Sequence, residues 1–166
     1  MNDRNAPASV RWPAKVGAGL FVLWGVLHVW VGAEGVRQYL TAGTPGLWGM
    51  LTGGHAVPRA AFVHATDPVT LFAQGQLVLN FCLDVGGYGV LGFFVAWLIL
   101  KRASWTGYLI GLAVIGVADL AFLFALVVPG VIELSAGTIA GPVLWFLAVA
   151  ITPFGLPARR RDRNGL

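Results

Sequence analysis

Charge is what this chain has least of. Asp, Glu, Lys and Arg together make up 11% of its residues, against about 25% in an average soluble domain. So small a stock cannot cover a water-facing surface, and an ordinary soluble fold is excluded. Cysteine is nearly absent too. Cys82 is the single one and lies inside an apolar run. That excludes an intrachain disulfide, a cysteine-based zinc site and an iron–sulfur cluster, and leaves a small hydrophobe with a thiol. Serine is confined to Ser9, Ser104 and Ser135, at the ends of apolar runs or outside them, with no nucleophile-elbow pattern. No GxGxxG or P-loop pattern supports nucleotide chemistry.

What is abundant is hydrocarbon, at 57% of residues, with 23 glycines and 7 tryptophans. Glycine is expected where helices approach closely in lipid, and indole rings settle at the headgroup level. Four apolar runs are each long enough to cross a bilayer core, which takes about 20 residues. They cover about 16–33, 70–100, 108–128 and 138–156. Asp67-Pro68 provides a helix start for the second, an N-cap followed by a residue suited to the first turn. The expected fold is therefore an all-α integral membrane domain spanning 1–166. It is a four-helix bundle with a basic tail over 157–166 and no repeat, low-complexity tract or second domain.

Orientation follows from the basic residues. Nine of the eleven (Arg4, Arg11, Lys15, Lys101, Arg102, Arg159, Arg160, Arg161 and Arg163) fall on one side, and Arg37 and Arg59 on the other. The positive-inside rule then puts both termini in the cytoplasm of a bacterial-type plasma membrane. It also explains the net charge of +4 better than nucleic acid does. A competing reading takes the first 33 residues as a signal peptide cut after Val31-Gly32-Ala33. Against it, the run is long and contains Trp24, His28 and Trp30. The longest non-spanning piece, 34–66, carries the turn signals Thr44-Pro45-Gly46 and Thr52-Gly53-Gly54. Its short apolar pieces, Leu47 to Leu51 and Ala60 to Val63, are expected to lie on the bundle as an external capping loop.

Three of the runs hold an ionisable residue at similar depth: His28, Asp84 and Asp119. Counted from the cytoplasmic charges at about 1.5 Å per residue, they stand roughly 20, 25 and 25 Å in. In a core about 30 Å thick all three lie in the outer half. On the second span Gln76, Asn80, Asp84 and Tyr88 recur every four residues, a polar stripe expected to face the bundle. On the first, Gly25, His28, Gly32 and Gly35 share a face suited to close packing. On the third, Gly116 and Asp119 are i, i+3 neighbours, and Gly107 and Gly111 form a GxxxG pair.

The plain reading of this set is hydrogen-bonding glue between helices, worth only about 0.6 kcal/mol per contact in membranes. The functional reading is a polar pocket in the outer half, because intramembrane ionisable residues mark functional sites by default. Gln76, Asn80, Asp84, Tyr88, His28 and Asp119 are its candidate binding residues. The favoured function is a non-catalytic module that binds an amphipathic or lipophilic ligand, or a partner subunit. One alternative is acid–base chemistry on a lipid-phase substrate, with Asp84 or Asp119 as acid and His28 as base or shuttle. Another is proton-coupled transport by a homo-oligomer. A bis-His haem and a retinal Schiff base are excluded, since one histidine is intramembrane and no lysine is mid-membrane, and no cofactor is expected. Two membrane aspartates suggest an intramembrane aspartyl protease, but the flanks of Asp84 and Asp119 lack that class's motifs. Glu34, His55, His64 and Asp67 are weak metal candidates, without recognisable ligand spacing.

Overall fold

The computed structural model describes residues 10–158. Arg4 and the basic tail from Arg159 onward lie outside the described residues. Among these residues the chain is all-helical with no strand, and four helices are long and apolar enough to cross a membrane. They are α1 (Trp12–Leu51), α2 (Pro68–Arg102), α3 (Trp105–Val127) and α4 (Ala136–Gly155). The side chains turned outward are largely hydrocarbon, Leu23, Val90, Phe124 and Phe146 among them. That is the surface of a multi-pass membrane protein.

Each start and stop has a local cause. Pro13 opens α1 in its first turn. The Asp67 carboxylate accepts the Thr70 amide at 2.9 Å at the head of α2, and Ser104 accepts the Gly107 amide at 3.0 Å at the head of α3. Ser135 and Thr138 form a reciprocal capping box on α4. Between α2 and α3 the chain turns through Ala103, whose φ of 46° is left-handed.

The first helix departs from expectation. It does not stop near Ala33, where the hydrophobicity stops. Glu34 accepts from both Arg37 Nε (2.7 Å) and Gln38 Nε2 (2.7 Å), and these i, i+3 and i, i+4 bonds carry the helix onward through polar residues. The break comes at Gly43 (φ 62°, ψ −156°), a conformation that glycine alone adopts without strain. Pro45 then opens a short return helix to Leu51. Thr44 Oγ1 donates to Leu71 O at 3.1 Å, and Leu47 is buried with Val78 and Cys82. The Thr44-Pro45-Gly46 signal thus marks a true reversal, and the segment after it packs back on α2.

Glycine sets the spacing of α1 and α2. A Cβ at Gly25 would come within 2.7 Å of Gly89 O, and one at Gly32 within 2.8 Å of Cys82 O and Gly86 Cα. The expected glycine face is therefore the contact face. In lipid, helices gain little from leaving hydrocarbon, so this close van der Waals approach holds the pair together.

Packing is uneven along the bundle axis. Arg11 N donates to Gly155 O (3.0 Å) and Trp105 Nε1 to Pro157 O (2.8 Å), which gathers the start of α1, the α2–α3 turn and the end of α4 at one end. That half is filled. Ala14, Ala18, Phe21 and Trp24 of α1 mesh with Val95, Ala96 and Ile99 of α2, Ile115 of α3 and Ala148 of α4. The other half is not filled, and the candidate site lies there.

Candidate functional site

The site is assembled at the level where the packed half ends. Trp24 and His28 are one helical turn apart on α1 and share a face. Their rings stack with centroids 3.7 Å apart. Asp119 of α3 is buried against them, with 2% of its surface exposed. Trp24 Nε1 donates to Asp119 Oδ2 at 2.8 Å, and His28 Nε2 lies 3.7 Å from Asp119 Oδ1. His28 Nδ1 is 2.8 Å from Trp24 O. A carbonyl only accepts, so Nδ1 carries a proton and the neutral ring presents its Nε2 lone pair toward Asp119. Any proton shared by the pair sits between Nε2 and the carboxyl.

Two small-residue positions make room for this cluster. A Cβ at Gly141 of α4 would fall 2.8 Å from His28 Cε1 and 3.5 Å from Asp119 Oδ1. Gly116, one turn before Asp119, admits the Trp145 ring. Trp145 Nε1 in turn donates to Gly111 O at 3.0 Å. Two π-helical segments, Gly111–Ile115 and Leu123–Val127, flank Asp119 in α3. Widened turns of this kind often accompany functional sites because they re-aim side chains.

Beyond the Trp24–His28–Asp119 floor the helices part and enclose a cavity of about 670 Å³. Its α1 wall is Leu27, Trp30, Val31 and Glu34, and its α2 wall Phe81, Asp84, Val85 and Tyr88. Ala118, Ala121, Phe122 and Ala125 of α3 and Thr138 and Pro142 of α4 complete it, with Met50, Leu51 and Ile132 at the far end. That end is tied by Ala56 N to Gly130 O (2.9 Å) and by Arg59 to Glu133 (3.1 Å). The α2 and α3 helices touch near their shared turn, where Gly107 meets Leu98 and Gly111 meets Val95. Beyond Ile115 the two helices make little contact, and residues of both line the cavity. An apolar chamber of this size with a few converging polar groups is the usual form of a small-molecule site.

The polar residues expected from the sequence are only partly gathered. His28 and Asp119 meet. Asp84 lines the same cavity but makes no ion pair with His28, and its hydrogen bond comes from Asn80 Nδ2 at 2.9 Å. The α2 stripe divides: Gln76, Asn80, Asp84 and Tyr88 are all exposed, but Asp84 and Tyr88 line the chamber within the bundle, whereas Gln76 and Asn80 do not. The buried face of α2 belongs instead to Gly75, Val78, Cys82, Gly89 and Gly92, because glycine lets α1 come close and the stripe is turned aside from that seam. Gln76 bonds Tyr39 Oη at 2.8 Å, above the cavity. Each of the weak metal candidates has a different neighbour. Glu34 pairs with Arg37, Asp67 caps α2, His64 packs edge-on to Phe62 and His55 sits beside Gly130. Among the described residues no three His, Cys, Asp or Glu side chains come together.

Sequence reasoning missed Trp24 as a hydrogen-bond donor and Gly141 as the space for His28. The i, i+4 relation of Trp24 to His28 was a usable signal; nothing marked Gly141. Comparison with protein-family models, curated proteins and solved structures returned no match.

Proposed function

We propose that this chain is a multi-pass protein of a bacterial-type plasma membrane whose cavity binds a lipophilic small molecule that enters from the bilayer. The supporting observation is the contrast within one bundle. One half is packed, and the other holds an apolar chamber of about 670 Å³ floored by a buried tryptophan–aspartate–histidine cluster. Helix association in lipid depends on dispersion contacts, and the chamber walls make few of them with one another. A lipophile in the chamber supplies such contacts to all four helices. The floor supplies the few polar contacts that would orient a headgroup, while the gap between α2 and α3 admits a hydrocarbon tail.

The basic residues orient the molecule in this reading. Lys15, Lys101 and Arg102 stand at the packed end and Arg37 and Arg59 at the chamber end, so in this reading both termini are cytoplasmic and the chamber lies in the outer half. The segment 52–67 is then the external cap.

A second reading has its own support. The fixed Nδ1 proton of His28 and the nearness of Nε2 to Asp119 form a proton relay suited to acid–base chemistry on a lipid-phase substrate. Purification in native lipid followed by small-molecule mass spectrometry tests the binding reading. One lipophile should co-purify in near-stoichiometric amount with the wild-type protein and be lost from Ala121→Trp, which fills the chamber. Equal recovery from both proteins, or from neither, would overturn it.

A further inference from the structure

The chamber's charges are one-sided. Glu34, Asp84 and Asp119 border it, and no lysine or arginine does. Two of the three acids have partners: Glu34 is held by Arg37 and Asp119 by Trp24 and His28. Asp84 is different. Among the described residues no Lys, Arg or His nitrogen lies within 4.0 Å of it, and its hydrogen bond comes from Asn80 on its own helix. A carboxylate at this depth of a membrane helix is costly without a counter-charge. Aromatic rings line the same chamber: Tyr88 one turn along α2 from Asp84, Phe81 one turn back, and Trp30 on α1. Aromatic faces attract cations, most strongly where water is excluded.

We propose that the ligand is a lipophilic organic cation, a protonated or quaternary amine or an equivalent onium ion. Asp84 is its counter-ion and Trp30, Phe81 and Tyr88 form the surrounding aromatic surface. This inference rests on the chamber being a ligand site and adds the sign of the ligand's charge. The same arrangement disfavours anions, since an anionic headgroup would meet a carboxylate and no basic residue.

The test uses the full chain in nanodiscs and a pair of probes matched in shape and opposite in charge, tetraphenylphosphonium and tetraphenylborate, with decanol as a neutral lipophile. Empty nanodiscs give the partitioning background. Saturable tetraphenylphosphonium binding, at least tenfold tighter than tetraphenylborate, is expected. It should weaken at least tenfold in Asp84→Asn and stay unchanged in Val90→Leu, whose side chain lies outside the chamber. Saturable binding of decanol or tetraphenylborate with no cation preference, or cation binding indifferent to Asp84→Asn in a protein with unaltered tryptophan emission, would overturn the cation assignment and leave the ligand site standing. Absence of saturable binding by all three probes would overturn both.

Discussion

At the residue scale the site reduces to one indole, one imidazole and one carboxyl, which sit together because glycines on neighbouring positions leave them room. Coupling between His28 and Asp119 is the measurable consequence. In a double-mutant cycle on stability, His28→Ala and Asp119→Asn should be non-additive by about 0.5 kcal/mol or more, as expected for groups in one hydrogen-bonded network. Asp84→Asn should couple to His28→Ala more weakly, since the two make no ion pair. Additivity of the first pair would make His28 and Asp119 independent packing residues. That these two could meet was legible from their similar depth, but whether they do depends on helix rotation, which the sequence left open. The role of Trp24 was not legible, since its acceptor lies 95 residues away and depends on how α3 is rotated. Rotation also divides the Gln76–Tyr88 stripe, with Asp84 and Tyr88 lining the chamber and Gln76 and Asn80 outside it. Avoidance of lipid says that such a stripe turns toward protein, but the glycine seam with α1 decides which face is fully buried.

At the element scale, caps and turn residues were the dependable signals, and hydrophobicity misjudged where α1 ends. A run of apolar residues shows where a helix must be in lipid and says nothing of where it stops in water. The bonds among Glu34, Arg37 and Gln38 supply that continuation, and Gly43 ends it. The turn between α2 and α3 offers a test in the opposite direction. Ala103 holds a left-handed conformation (φ 46°) that costs an L-residue about 1–2 kcal/mol, whereas glycine adopts it freely. Ala103→Gly should therefore stabilise the protein by about 1 kcal/mol in reversible unfolding from mixed micelles, less a few tenths for added unfolded-state entropy. A loss of stability would show that the turn is not strained. At the head of α2, hydrogen bonds from the Thr70 side chain and then its amide hold the Asp67 carboxyl below the usual carboxylate range. The cap is therefore intact at neutral pH and is lost as pH falls through that lowered value. The Thr70 amide chemical shift should follow a single carboxyl titration there; a shift flat with pH would dissociate the cap from the ionised form.

At the scale of the whole molecule, the bundle is a filled half joined to a hollow one. Four spans and their order could be read from composition alone, because a bilayer demands continuous apolar length. The hollow could not, since it lies where α2 and α3 make little contact and no local pattern encodes it. The proposed orientation predicts cytoplasmic signals from reporters fused after Arg102 and an external signal from one inserted between Gly53 and His55. The reverse pattern would invert the molecule and move the chamber to the cytoplasmic leaflet. The central claim is that a lipophile reaches the chamber from the bilayer. The measurement that addresses it most directly is labelling in membranes with a diazirine-bearing alkyl chain, followed by peptide mapping of the adducts. Label concentrated on Ala118, Ala121, Ala125 and Thr138, and displaced by an excess of unlabelled lipophile, is the expected result. Label spread evenly over outward residues such as Leu23, Val90 and Phe146, with no displaceable fraction in the chamber, would contradict it.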